Sequence, residues 1–272
     1  MLQYIHWGPD PEMIEIGDFA IRWYGLLFAT GFYLGYLIMR RFFLKEGIPE
    51  EHLDKLTLYV VLSTVIGARL GHCLFYQPDF YLSHPIEILK IWKGGLASHG
   101  AAIAIPLGLV LYSRRVSQRS PLWILDRIVI TVALGGVLIR LGNLMNSEIV
   151  GAPTDVPWAF VFERLSNNPQ PRHPSQIYES LSYLIIFMTL YRTYVRLDGH
   201  VPYGRIFGMF LVLVFGARFL LEFTKEVQVA FERGMPLNMG QLLSIPFVLT
   251  GVYFWYRSHQ PSAAPPVRSQ RR

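Results

Sequence analysis

Apolar residues run along this chain in blocks of about 18 to 21, separated by short polar connections, and runs of roughly 20 apolar residues are what a helix needs to cross a bilayer. The blocks are Phe19–Met39, Leu56–Tyr76, Gly95–Tyr112, Leu122–Leu141, Ser175–Tyr194, Tyr203–Phe223 and Met239–Tyr256. The third is short and is interrupted by Pro106, which removes a helical hydrogen bond. Trp23, Tyr24, Tyr76, Trp92, Trp158, Tyr203, Trp255 and Tyr256 lie near block ends, where an interfacial aromatic belt forms. The pattern predicts an all-α, polytopic integral membrane bundle of about seven transmembrane helices.

The connections predict its orientation. Arg40, Arg41, Lys45 and Lys55 follow the first block; Arg114, Arg115, Arg119 and Arg127 surround the next connection of the same sense. Arg192, Arg196 and Arg205 fill the third, and Arg257, Arg268, Arg271 and Arg272 follow the last block. Because Lys and Arg collect on the cytoplasmic side, the N-terminus is expected outside and the C-terminus inside. The longest connection, 143–174, contains Pro153, Pro157, Pro169 and Pro171 and is expected to form a small periplasmic head. Residues 1–257 are then expected to form one seven-helix transmembrane domain. Residues 258–272, rich in Ser, Pro and Arg, are expected to be a disordered basic cytoplasmic tail.

Composition agrees with a membrane solvent. Of 272 residues, 52% are hydrophobic and 16% charged, against about 25% charged in a soluble domain. The net charge of +6 comes from loop cations between apolar blocks rather than a basic face of a soluble fold, which argues against nucleic acid as a partner. A single cysteine, Cys73, excludes an internal disulfide and a cysteine-based metal cage. Residues Met1–Asp18 lack the basic start and apolar centre of a cleavable signal peptide.

Threading the blocks alternately through a bilayer puts their unusual polar residues in one half. Tyr24 opens the first block, and Arg69, His72 and Tyr76 end the second. His99 opens the third, Arg140 and Asn143 close the fourth, and Ser175, Gln176, Tyr178 and Glu179 open the fifth. Arg218, Glu222 and Glu226 end the sixth, and Gln241 opens the seventh. Ionised groups at a bilayer centre cost about 2.5–3.5 kcal/mol on insertion scales and normally face a protein interior or a wet cavity. Arg69 with His72, Arg140 with Asn143, and Arg218 with Glu222 are three or four residues apart, so each pair shares a helix face. Arginines near one leaflet suit an anionic phosphate. The plainer alternative is that such residues only staple helices or reach the headgroups. Glycines beside them, among them Gly67, Gly71, Gly100 and Gly142, suit close helix packing.

The stretch Arg140-Leu141-Gly142-Asn143-Leu144-Met145-Asn146-Ser147-Glu148, closing at Gly151, resembles the signature of the bacterial prolipoprotein diacylglyceryl transferases. Further blocks agree in order: Ile21-Arg22-Trp23-Tyr24-Gly25, Gly67-Ala68-Arg69-Leu70-Gly71-His72, and Gly94-Gly95-Leu96-Ala97-Ser98-His99-Gly100. They continue with Arg172-His173-Pro174-Ser175-Gln176-Ile177-Tyr178-Glu179, Arg218-Phe219-Leu220-Leu221-Glu222-Phe223 and Met239-Gly240-Gln241. The chain departs from the family at Ile139 and Leu144, and the run Thr224-Lys225-Glu226-Val227-Gln228 lacks the family's frequent Pro-Asp. The resemblance implies transfer of the diacylglyceryl group of phosphatidylglycerol to the thiol of a lipobox cysteine in prolipoprotein signal peptides. A thioether forms and glycerol phosphate is released, without cofactor or metal, at the periplasmic leaflet of a bacterial inner membrane.

That chemistry needs a phosphate site and a base. Arg140 and Arg218 are the expected phosphate clamps, since a guanidinium holds two phosphate oxygens. Asn143 and Glu148 are expected to hold Arg140 or the lipid's glycerol, and Glu222 to orient Arg218. Asn146, Arg69 and Gln241 complete the expected phosphatidylglycerol-binding set. His99 is the expected general base for the thiol, because an imidazole titrates near neutrality; its alternative role is to orient lipid. Tyr24 is expected to position the ester or share the proton. His72 and His173 read as structural, and Cys73 as buried filler. Rival readings are a transporter for an anionic lipid or small anion, and a hydrolase using Ser98 and His99. Adjacent helical residues point about 100° apart, which disfavours the second.

Overall fold

The computed structural model describes residues 4–16, 19–166, 169–226, 232 and 235–260. Most of the basic tail, and Val227 and Gln228 of the segment lacking Pro-Asp, lie outside the described residues. The chain is mostly helical: α1 Trp23–Lys45, α2 Glu50–Phe75, α3 Pro78–Ser83, α4 Ser98–Tyr112, α5 Pro121–Met145, α6 Ser175–Arg196, α7 Arg205–Leu221 and α8 Met239–Arg257. Three helical segments, Glu50–Phe75, Pro121–Met145 and Arg205–Thr224, are long and apolar enough to cross a membrane.

The expectation of an all-helical chain is corrected by five short strands among the described residues: β1 Ile5–Trp7, β2 Glu12–Ile16, β3 Phe19–Arg22, β4 Phe160–Phe162 and β5 Pro171–Arg172. The first apolar block accordingly loses its start. Phe19–Arg22 pairs with β2 as a hairpin, and α1 begins at Trp23. Arg22 clasps Glu12 across that hairpin with Nε at 3.1 Å and Nη2 at 2.9 Å. The third block starts as helix at Ser98, after two glycines in the left-handed region, Gly94 (φ 79°) and Gly95 (φ 74°).

The backbone groups into two units, Met1–Ile38 with Asp126–Arg272, and Met39–Leu125. In the first, α7 packs along α8 and α6. Gly208 and Gly251 allow that approach, since a Cβ on Gly208 would meet the Gly251 carbonyl at 2.7 Å. Asp126 fastens the start of α7, accepting from Gly204 N–H at 2.7 Å and Phe207 N–H at 2.9 Å. The 143–174 connection forms a small sheet: β4 pairs antiparallel with β5 and parallel with β1. Leu144, Phe160 and Phe162 form its core with Trp7, Val150 and Ile177, and Trp7 Nε1–H donates to the Leu144 carbonyl at 2.9 Å.

In the second unit, α2 and α4 meet along a seam of small residues. A Cβ on Gly100 would lie 2.1 Å from the Gly67 carbonyl oxygen, and one on Gly71 2.7 Å from the Gly100 Cα. Beside that seam α2 presents Leu58, Leu62, Ile66, Leu70 and Leu74, every fourth residue, all exposed. On α4 the exposed stripe is Ile103, Leu107 and Leu111. A stripe of that length is untenable in water and natural against lipid tails.

Candidate active site

In the first unit, the end of α5 and the turn after it form a polar knot. Arg140 Nη1–H donates to Asn143 Oδ1 at 3.1 Å, one helical turn on, and Asn143 Nδ2–H donates to Glu148 Oε2 at 3.3 Å. Asn146 Nδ2–H reaches the other oxygen of Glu148 at 3.3 Å. The turn can fold back so tightly because Ser147 (φ 55°) and Ile149 (φ 56°) take left-handed backbone. Glu148 N–H bonds the Asn143 carbonyl at 2.9 Å, and Gln176 Nε2–H holds the Glu148 carbonyl at 2.7 Å. Gly151 closes the turn where a Cβ would meet Ser175 Oγ at 2.5 Å and the His173 carbonyl at 2.6 Å. Each asparagine therefore orients Glu148, and Glu148 reaches Arg140 through Asn143.

Other helix ends of this unit converge on the knot. Tyr24, second residue of α1, lies over Gly142, where a Cβ would fall 2.8 Å from its ring. Glu179, in the first turns of α6 and buried, places Oε2 2.6 Å from Arg140 Nε, an ion contact without hydrogen-bond alignment. Tyr183, one turn further, lies beside Arg140. Lys225 Nζ lies 2.8 Å from Glu179 Oε1 and 3.5 Å from Glu222 Oε2. The expectation that Glu222 orients Arg218 is corrected: the helix gives way to a 3-10 turn at Glu222, whose carboxylate turns to Lys225. Arg218 has no hydrogen-bond or ion-pair partner among the described residues.

The knot is rich in unused acceptors. Asn146 Oδ1, Ser147 Oγ and Gln176 Oε1 are buried without a hydrogen-bond partner among the described residues, while Glu179 Oε2 and Glu222 Oε2 meet only the ion contacts from Arg140 and Lys225. Buried polar atoms are nearly always paired, so the three unpaired atoms suit a hydroxyl-bearing polar ligand.

Two expected lipid-binding residues sit elsewhere in the chemistry. Arg69 is 3% exposed and donates to four backbone carbonyls: Glu87 at 2.6 Å, Ile88 at 2.9 Å, Gly94 at 2.6 Å and Gly95 at 3.2 Å. With its guanidinium 5.0 Å from the Tyr81 ring, it fastens the connection before α4 and has one N–H left for any anion. Gln241 forms a capping box with Asn238, its N–H donating to Asn238 Oδ1 at 2.9 Å and its Oε1 accepting from Asn238 N–H at 3.1 Å. Its Nε2–H reaches the Phe219 carbonyl at 3.4 Å, so it caps α8 and ties it to α7.

In the second unit, His99 occupies the first turn of α4, exposed, with Phe75 edge-on at 5.1 Å and Tyr76 at 5.7 Å. Its ring nitrogens have no hydrogen-bond partner among the described residues, which leaves either free to accept a proton. His72 stacks on Tyr76 at 5.5 Å. His173 Nδ1 pairs with the Tyr178 hydroxyl at 3.2 Å, a positioning contact. Cys73 is fully buried.

The sequence model described as prolipoprotein diacylglyceryl transferase matches residues 11–257. A phosphatidylglycerol–prolipoprotein diacylglyceryl transferase of Tolumonas auensis is 49% identical over 259 residues, 95% of this chain and 99% of that one. One of Chloroherpeton thalassium is 49% identical over 94% of each chain, and one of Bacteroides fragilis 42% identical over 94% of this chain and 96% of its own.

Proposed function

The chain belongs to the prolipoprotein diacylglyceryl transferase family, and from that premise we propose that it moves the diacylglyceryl group of phosphatidylglycerol onto the thiol of a prolipoprotein cysteine. It is a membrane transferase of lipoprotein biosynthesis. Its apolar blocks cross the bilayer seven times, N-terminus outside, and the polar helix ends face the periplasmic leaflet of a bacterial inner membrane. The acceptor is the lipobox cysteine of a signal peptide.

The reaction is a displacement at carbon. The thiol gives its proton to His99, and the sulfur attacks the terminal glyceryl CH2 of the lipid. A C–S bond forms as the C–O bond to phosphate breaks, and the electron pair stays on the phosphate oxygen, so glycerol phosphate departs. Such a leaving group needs its charge met as it develops. Arg140 and Arg218 meet it: the first is braced by Asn143 and Glu179 with donors to spare, the second is free of protein partners among the described residues. Tyr24, packed over Gly142, positions the ester beside Arg140. Glu148 and Asn146, with the unpaired acceptors around them, receive the hydroxyls of the headgroup glycerol.

One observation carries this reading: Arg140 is fixed in place by Asn143 and Glu179 on the same turn that holds the unpaired Asn146 Oδ1 and Ser147 Oγ, which matches an anion bearing hydroxyls. The test incubates purified protein, in vesicles containing phosphatidylglycerol, with a precursor peptide carrying the cysteine. Mass spectrometry is expected to show a diacylglyceryl thioether and released glycerol phosphate. Lipid or phosphate flux without covalent product would instead establish a transporter.

A further inference from the structure

Lys225 lies in the connection after α7, and the mechanism above gives it no part. Yet its side chain is 7% exposed, more deeply buried than that of Arg140 at 18%. The end of the signature turn holds it there: Gly151 pairs with Lys225 in a β-bridge, and Ala152 N–H donates to the Thr224 carbonyl at 2.9 Å.

Its surroundings tie it to Arg140. Glu179 offers one carboxylate oxygen to Lys225 at 2.8 Å and the other to Arg140 at 2.6 Å. Two cations set on the two oxygens of one carboxylate are close neighbours, and both keep donors to spare. An ammonium has three N–H groups and a guanidinium five; Glu179 and Glu222 engage at most two of Lys225's, while Glu179 and Asn143 engage two of Arg140's. A pair whose sole task was to bind helix to loop would need one cation on that carboxylate. Burying a second is costly unless it meets another anion; the one present, Glu222, stands at the longer distance of 3.5 Å, so the ammonium keeps a donor for a ligand's charge.

We propose that Lys225 is a third cation of the phosphate site, set beside Arg140 by the shared carboxylate of Glu179, and that it takes up the charge which the phosphate gains as it leaves. This rests on the transferase reading. A phosphodiester carries one negative charge, whereas the departing monoester carries close to two. The extra charge appears when the C–O bond gives its electron pair to the phosphate oxygen. A cation that meets it acts on the transition state and the product more than on the bound lipid. Glu179 is a positioning residue here, and Lys225 the group that touches the reacting oxygens.

The test compares wild type with Lys225→Gln and Lys225→Arg in the same vesicle assay, reading kcat, KM for phosphatidylglycerol and inhibition by glycerol phosphate. Lys225→Gln is expected to lower kcat on the order of a hundredfold with KM within about twofold, and to weaken glycerol phosphate inhibition by a similar factor to kcat. Lys225→Arg, which keeps the charge, is expected to recover most of both. If Lys225→Gln works and is inhibited like wild type, the proposal is overturned. It is equally overturned if both variants lose activity together with thermal stability, which marks a structural strut. A wild type that forms no thioether overturns the transferase reading and this proposal with it; an active wild type beside an equally active Lys225→Gln overturns this proposal alone.

Discussion

Asn143 stands between Arg140 and Glu148, accepting from the guanidinium at 3.1 Å and donating to the carboxylate at 3.3 Å. The amide does both with neutral atoms, its oxygen accepting and its NH2 donating. Asn143→Ala removes a hydrogen bond to a charged group, worth about 1.5–3 kcal/mol, so kcat/KM is expected to fall roughly ten- to a hundredfold. Asn143→Asp sets two carboxylates against each other and should fall further. Steady-state kinetics check both, and an Asn143→Asp enzyme as active as wild type would show that Asn143 does not bridge the two.

Arg140 acts through the fork of its guanidinium, with Nε at Glu179 and Nη1 at Asn143. Lysine keeps the charge but cannot make both contacts and still hold phosphate. Arg140→Lys is therefore expected to be nearly as inactive as Arg140→Ala while the protein stays inserted and folded. Near-normal turnover by the lysine variant would reduce the role of Arg140 to bare charge.

Arg69 is expected to behave oppositely. Its bonds go to four backbone carbonyls around the turn before α4. Arg69→Met leaves those acceptors unsatisfied, and one orphaned buried group already costs about 1–3 kcal/mol. Thermal unfolding in detergent should shift strongly downward, while phosphatidylglycerol affinity of the folded fraction holds. A stable Arg69→Met protein with weakened lipid binding would return this arginine to the phosphate site.

Gly100→Ala tests the seam of α2 and α4. The new methyl would fall 2.1 Å from the Gly67 carbonyl oxygen, and because that atom is backbone the helices must part. Overpacking of this kind costs about 1–3 kcal/mol, to be read as a lower unfolding temperature. An unchanged melting curve would mean the helices do not meet so closely.

His99→Gln is expected to abolish thioether formation while leaving phosphatidylglycerol binding intact, since among the described residues the exposed ring packs on Phe75 and Tyr76 and holds no hydrogen bond. Transfer at the normal rate by this variant would assign the proton to another group.

How much of this was legible beforehand follows from range. The helical blocks and the Arg140–Asn143 pair are local, set by periods of 3.6 residues, and both were readable from spacing. Strand β1 was not, because Ile5–Trp7 is three residues long and its partner, Phe160–Phe162, lies far along the chain. Arg69 and His72 share a face as spacing predicts, yet the guanidinium turns to carbonyls that Gly94 and Gly95 present, a contact that spacing along α2 cannot reveal. Gln241 carried its own warning: Asn238 three residues before it is a helix-capping signal. Glu179 was visible at the head of α6 without a role, because its partners come from α5 and from the loop after α7. Lys225 counted as an ordinary loop cation, and no local pattern marks a loop lysine as buried. Tyr183 sat unmarked within an apolar block.

Arg140 and Arg218 together are expected to hold the lipid's phosphate. A structure of the protein with phosphatidylglycerol bound tests it directly. Phosphate oxygens are expected about 2.7–2.9 Å from guanidinium nitrogens of both arginines, with the headgroup hydroxyls toward Glu148 and Asn146. A phosphate seated away from both arginines, with their donors turned to protein acceptors, would contradict it.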